Sequence, residues 1–329
     1  MKTLRRRIVT IPGLLVAAVL LIALIPAWLP VSLVVDLVLR RFRFPVARLL
    51  AFALCWTWLE VAGVTAAFLL WSAGLGRNAG LHYSLQRWWA SNVLAALGVT
   101  CGIRIETADA EVFTPSPTVL FVRHASLADS LVSAYVITKV ARLHPHYVLK
   151  RELQYDPCLD LVGHRIPNYF LDRQARDSAP ELRALERLGA GLGEGDVGVI
   201  FPEGTRANDR KRAAALVKIT ERDPARSAKL STLEYLLPPR SAGAAAMMRG
   251  APTADLVIAW HVGFEGLDTF AGVLTAISRR REPVRLVARR VPRSLVPSGD
   301  AFAHWLDDQW LRMDGEVGIA LRERNEGKL

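Results

Sequence analysis

Two long apolar stretches at the N-terminus constrain this chain more than any other part of it. The first runs from Ile8 to about Leu39 and is interrupted by Pro12, Pro26 and Pro30; the second runs from Leu49 to Trp71 with Glu60 as its only charge. Each covers the roughly 20 residues a helix needs to cross hydrocarbon, and the first exceeds the apolar core of about 7–15 residues in a cleaved signal peptide. Lys2, Arg5, Arg6 and Arg7 precede the first stretch. Arg40, Arg41, Arg43 and Arg48 separate the two, and Arg77 and Arg87 follow the second. Two full crossings would put the middle arginines on the face opposite all the others, against the tendency of basic loops to stay cytoplasmic. The pattern therefore favours segments that dip into one leaflet, or kink at Pro26 and Pro30, with every arginine on one face. An ordinary two-helix anchor is the alternative.

The composition shifts near Gly74 to Gly80, which divides the chain into an N-terminal membrane anchor (1–78) and a larger domain (79–329). With 51% hydrophobic residues and a net charge of +11, the surface attracts anions, and the apolar excess favours anionic lipid over nucleic acid. Cys55, Cys101 and Cys158 are widely spaced without a C-x-x-C pair, so neither a disulfide framework nor a zinc site is indicated. Trp88, Trp89 and Arg87 lie in a run of helical period suited to a membrane interface.

Beyond that run, strand and helix patterns alternate. GIRIE, VLFV, YVLK, NYFLD, VGVIF, ADLVIAW and VRLVARRV are rich in β-branched and aromatic residues, while APELRALERLGAGL and DAFAHWLDDQWLRM repeat with helical period. Such alternation predicts an α/β fold, a layered mixed or mostly parallel sheet with flanking helices. Gly189, Gly191, Gly193 and Gly195 end a helix rather than open one, so they read as a C-cap and turn, not a phosphate loop.

Chemistry concentrates in two places. Val119 to Ser130 reads VLFVRHASLADS, a buried strand that breaks at His124, with Asp129 five residues on. Residues five apart on one helix point about 140° away from each other. His124 must therefore precede the helix, with Asp129 in its first turn reaching back, and Ser126 with Asp129 makes a capping-box start. An imidazole oriented by a carboxylate is a general base; a helix cap beside a loop histidine is the plainer reading. The second place is the end of VGVIF, where Phe201 to Arg206 reads FPEGTR. Polar function at a strand end is where open α/β sheets bind ligands. Gly204 permits a sharp turn, Thr205 donates a hydrogen bond, and Arg206 grips a phosphate with two N–H groups.

Together these motifs resemble those of the glycerolipid acyltransferases, which include the 1-acylglycerol-3-phosphate acyltransferases. RHASLAD is similar to that family's first motif with Arg123 in place of the usual asparagine, and FPEGTR stands unchanged as its third. GHRIPNYFLDR matches the second motif loosely and points to Arg173; LEYLLPPRSAGAAAMM resembles a form of the fourth and points to Pro239; YVLKREL points to Lys150. The resemblance covers roughly Trp89 to Gly266. It implies that His124 and Asp129 are catalytic, and that Lys150, Arg173, Glu203, Gly204, Thr205, Arg206 and Pro239 bind substrate. The implied reaction moves a fatty acyl group from a thioester, on coenzyme A or acyl carrier protein, to the free hydroxyl of a lysophospholipid, with 1-acylglycerol-3-phosphate giving phosphatidic acid. Backbone N–H groups near Gly204 are candidates for the oxyanion. No cofactor or metal is implied; the thioester is a co-substrate.

The implied partners are the bilayer, the lysophospholipid and the acyl donor, with the catalytic domain on the cytoplasmic face of the inner membrane. A different lysolipid acceptor, or a non-catalytic lipid-binding protein that keeps the fold, is the alternative. No G-x-S-x-G elbow surrounds Ser126, which speaks against a serine hydrolase. His82, His144, His146, His164, His261 and His304 show no partner pattern. The basic clusters Arg206, Arg210, Lys211, Arg212 and Arg279, Arg280, Arg281 suit anionic head groups or a solvated face.

Overall fold

The computed structural model describes residues 2–107, 110–126, 128–174, 177–267, 270–279 and 282–326. Arg280 and Arg281 of the second basic cluster lie outside them. The first apolar stretch is two helices, α1 (Lys2–Ala23) and α2 (Ile25–Val38), and the second is one, α3 (Pro45–Ser72). Of the three prolines, Pro26 marks the break. It sits in the first turn of α2, where a missing N–H costs nothing, whereas Pro12 and Pro30 lie inside helices. The chain reverses between α2 and α3 through Arg40 and Phe44, both in the left-handed region.

After α4 (Ala79–Cys101) come β1 (Ile105–Thr107), β2 (Thr118–Val122), α5 (Asp129–Tyr135), β3 (His144–Lys150), α6 (Pro157–Gly163), β4 (Tyr169–Leu171), α7 (Ala179–Ala190) and β5 (Asp196–Ile200). Then follow α8 (Asp209–Thr220), α9 (Pro224–Leu230), α10 (Ser241–Gly250), β6 (Asp255–Val262), α11 (Phe270–Ile277), β7 (Val284–Val291) and α12 (Ala301–Asn325). The seven strands form one sheet in the order β1-β7-β6-β2-β5-β3-β4, parallel throughout except between β6 and β7. Every apolar run read as a strand is one, and the mixed, mostly parallel sheet with flanking helices is the architecture expected.

The central strand β2 is buried along its whole length, and its two-residue alternation divides the core. Val119 and Phe121 pack with Leu256, Ile258, Met247 and Trp310 on one face. Leu120 and Val122 pack with Val199, Val257 and Ile137 on the other. Helices α7, α10 and α12 cover the first face, and α4 and α5 the second. A Cβ on Gly250 would stand 1.9 Å from the Glu186 carbonyl oxygen, so α10 approaches α7 more closely than any side chain allows.

Helices α1 and α3 are fastened to the rest of the fold rather than hung from it. Arg6 and Arg7 donate to the buried Asp160 carboxylate at 2.6 and 2.7 Å. Arg48, near the start of α3, donates to the carbonyls of Thr100 (2.6 Å) and Ile277 (3.2 Å). Near its other end, the Ala67 carbonyl accepts from Arg165 at 2.9 Å, and between them Trp89 Nε1 donates to Glu60 at 2.8 Å. Helix α3 therefore lies along the domain for about 28 Å at 1.5 Å per residue.

Candidate active site

The connections leaving β2 and β5 run to opposite sides of the sheet, β2 onward past β5 to β3 and β5 onward past β2 to β6. A crevice opens outside the carboxyl ends of strands at such a reversal, and both chemical motifs sit there. His124 lies two residues beyond β2, and Asp129 is the first residue of α5. His124 Nδ1 is 2.8 Å from Asp129 Oδ2. The same carboxylate accepts from the backbone N–H groups of Ala125 (2.7 Å) and Ser126 (2.9 Å) and from the Ser126 hydroxyl. The capping contacts and the base with its orienter are thus one arrangement: the aspartate that starts the helix also holds the ring.

Burial alone pushes the Asp129 carboxyl up, but the close approach of His261 and the hydrogen bond and charge of His124 outweigh it and hold it well below the usual carboxylate range. Burial lowers the His124 imidazole below its ordinary value, more than Asp129 raises it, and Lys150 and Arg206 push the same way. At neutral pH the ring is therefore uncharged and ready to accept a proton at Nε2.

The FPEGTR turn is joined to this corner directly. Glu203 is 1% exposed; one of its oxygens accepts from His124 N at 2.7 Å and the other from Leu237 N at 2.9 Å. The His124 carbonyl in turn accepts from Ala207 N at 2.8 Å. Both carboxyl oxygens of Glu203 are occupied by backbone, so this residue ties three loops together instead of facing the cavity. Burial pushes its carboxyl up to about 8. Gly204 is in the left-handed region (φ 72°), and its N–H donates to the Phe201 carbonyl at 2.9 Å. That donor is spent on the turn. Thr205 Oγ1 accepts from Lys211 Nζ at 3.3 Å, and the Pro239 carbonyl accepts from Arg226 at 2.9 Å. These two, like Glu203, stand behind the cavity lining.

The cavity itself, of about 480 Å³, is lined by His124, Lys150, Arg173, Gly204, Arg206 and Arg240, by the carboxyl groups of Asp172 and Glu181, and by apolar side chains such as Val148, Leu182, Leu185 and Ile200. Four cations thus share the lining with two carboxyl groups, a net positive surplus. Their mutual repulsion is visible in Lys150, lowered by burial and by Arg173, Arg206 and Lys211, and in Arg173, lowered by burial and by Arg240. Such a surplus suits a multiply charged anion. Arg173, reached through the loosest motif, is in this lining.

Three participants escape a reading of the sequence. Arg240 follows Pro239 and lays its side chain over Gly204, where a Cβ would meet it at 3.3 Å. Arg123 is buried, donates to the His261 carbonyl at 2.6 Å and lies 3.5 Å from Glu265; it braces β2 against β6. His261 itself, with no partner pattern in the sequence, stands 2.9 Å from Asp129 Oδ1. The parallel register pairs Val122 with Ala259, so His124 and His261, each two residues further on, reach the same edge. The available signal was a second histidine ending an apolar strand.

Residues 104–261 match the family model described as Acyltransferase. No curated protein matches the chain. Among solved structures, the crystal structure of the 1-acyl-sn-glycerophosphate (LPA) acyltransferase, PlsC, from Thermotoga maritima superposes with a TM-score of 0.54 at 15% identity, covering 83% of this chain and 97% of that one.

Proposed function

We propose that this chain is a glycerolipid acyltransferase, a reading supported by the Acyltransferase match over residues 104–261, and that it transfers a fatty acyl group from a thioester to the free hydroxyl of 1-acylglycerol-3-phosphate, giving phosphatidic acid. His124 Nε2 takes the hydroxyl proton while Asp129 holds Nδ1–H and balances the imidazolium. The oxygen attacks the thioester carbonyl, the C–O bond forms, the C–S bond breaks, and the departing thiolate recovers the proton from His124. No acyl-enzyme is formed. Lys150, Arg173, Arg206 and Arg240 hold the acceptor's phosphate. A second cavity of about 270 Å³ shares Ser130, Leu149 and Leu153 with the first and is lined mainly by apolar side chains such as Leu131, Val162 and Ile166, a fitting place for an acyl chain.

The observation that carries this reading is an oriented imidazole at the mouth of a cavity with four cations. The test is purified protein with labelled acyl-CoA, or acyl carrier protein thioester, and lysophosphatidic acid, comparing wild type with His124→Ala. Transfer by wild type and its loss in the variant are expected. Transfer that survives in the variant removes His124 from its role; free fatty acid as sole product identifies a hydrolase instead. Because burial lowers His124, the acid limb of kcat/KM falls below the ordinary histidine value of about 6.5.

We propose further that α1, α2 and α3 lie along one leaflet, with the arginines on the cytoplasmic face. Two helices, α1 and α3, are long and apolar enough to span a bilayer, and Val9, Val16, Val19, Phe68 and Trp71 are exposed on them, as are Val31 and Val34 on α2. Yet α3 is bonded to the catalytic domain near both ends, and a helix crossing a hydrocarbon layer of about 30 Å leaves one end behind. A cysteine at Phe44 should be labelled from the cytoplasmic side; labelling only from outside defeats this topology.

A further inference from the structure

We infer that His261 is a positioning residue for this reaction: it holds Asp129 from the side opposite His124 and limits how tightly that carboxylate binds the His124 imidazolium. The inference rests on the acyl-transfer reading and extends it. His261, the penultimate residue of β6, is 1% exposed and places Nε2 2.9 Å from Asp129 Oδ1, while His124 Nδ1 approaches Oδ2 at 2.8 Å. One carboxylate thus lies between two imidazoles, one open to the cavity and one sealed beneath it.

Among the described residues, the Nδ1 of the sealed ring has no hydrogen-bond partner, and the Nε2 contact has the distance but not the alignment of a hydrogen bond. Its edge packs on Phe264, with ring centres 5.1 Å apart. A buried imidazole left so poorly satisfied costs stability. Contacts of catalytic groups often straighten only when substrate is bound, and Asp129 Oδ1, 2.9 Å from Nε2, is the acceptor within reach among the described residues. The other charged or titratable groups around the pair are Arg123 at the end of β2, Glu203 after β5 and Glu265 after β6, with Lys150 and Arg206 on the His124 side.

The consequence for the proton is direct. Asp129 attracts the proton on His124, and each further donor aimed at the carboxylate weakens that attraction. The proton taken from the acceptor hydroxyl must later pass to the leaving thiolate, so an imidazolium bound too firmly would slow the second half of the reaction. With its proton on Nε2, His261 presents the positive end of an N–H bond to Asp129 and disfavours charge on His124.

The experiment compares pH profiles of kcat/KM for wild type, His261→Leu and His261→Gln, the last offering an amide N–H near the Nε2 position. We expect the acid limb of His261→Leu to move to higher pH with a loss of about three- to tenfold in kcat, the worth of one hydrogen bond, and His261→Gln to restore both. An acid limb unmoved in a folded His261→Leu variant, or unrestored by glutamine, overturns the inference. A second measurement needs neither turnover nor a folded leucine variant. In wild type with 15N-labelled histidine, the signal absent from His261→Gln identifies His261, and its Nε2 should carry a proton; an unprotonated Nε2 overturns the inference even if no lysophospholipid is acylated.

Discussion

The corners at the ends of β2 and β5 each hold a carboxyl group that is 1% exposed, and their surroundings drive the two in opposite directions. Asp129 is held far below the usual range by two imidazoles and a ring of short-range donors, while Glu203, with two backbone amides, is pushed by burial up to about 8. Depth is the same in both, so the difference comes from what the oxygens meet. One carboxylate is kept charged to work on a ring; the other joins loops and can carry a proton near neutral pH.

The largest effect that would break this contrast is at the first corner. Asp129→Asn keeps the shape but removes the charge that selects the His124 tautomer, and kcat should fall by about 10²–10⁴, within the range of one general-base contribution. A loss under tenfold in steady-state assays would mean that the aspartate only caps α5. Next comes the cationic lining. Arg240→Ala should raise KM for a phosphate-bearing acceptor by about 10–100-fold with little change in kcat, the scale of hydrogen bonds to a charged group. An equal rise for an acceptor without phosphate would assign Arg240 to packing.

The smallest effect is on stability at the second corner. Glu203→Gln turns an amide NH₂ toward one of two backbone donors and should cost about 1–3 kcal/mol in denaturant unfolding, with activity retained by the folded fraction. Its pH dependence is more telling. A carboxyl raised in the folded state contributes stability that is complete below its unfolded value and is lost as pH rises through about 8. Wild type should therefore lose stability between pH 5 and about 8.5 where Glu203→Gln does not; parallel curves would show that the carboxyl is already ionised throughout.

What the sequence discloses follows the distance over which each contact acts. The strands are legible because a buried strand needs its own run of apolar residues, and VLFV, VGVIF and ADLVIAW supply them. His124 and Asp129 are legible because a tight turn links them within five residues. His261 is not, since its approach to Asp129 depends on the register of two strands 138 residues apart, as the Arg123 bond to its carbonyl records. Arg240 sits beside the proline that drew attention, and only the fold shows that its side chain, not the ring before it, enters the cavity. Glu203 lies in a motif whose letters suggest substrate contact, and its two amide partners come from loops that no local pattern connects.

Fastening α3 near both Arg48 and Ala67 has one more result. On the one-leaflet topology proposed above, a helix clamped at two points works as a fixed keel: the candidate site keeps one height and one tilt above the lipid plane. Turnover should then respond to how loosely head groups are packed in the facing monolayer and stay indifferent to the thickness of the bilayer beneath.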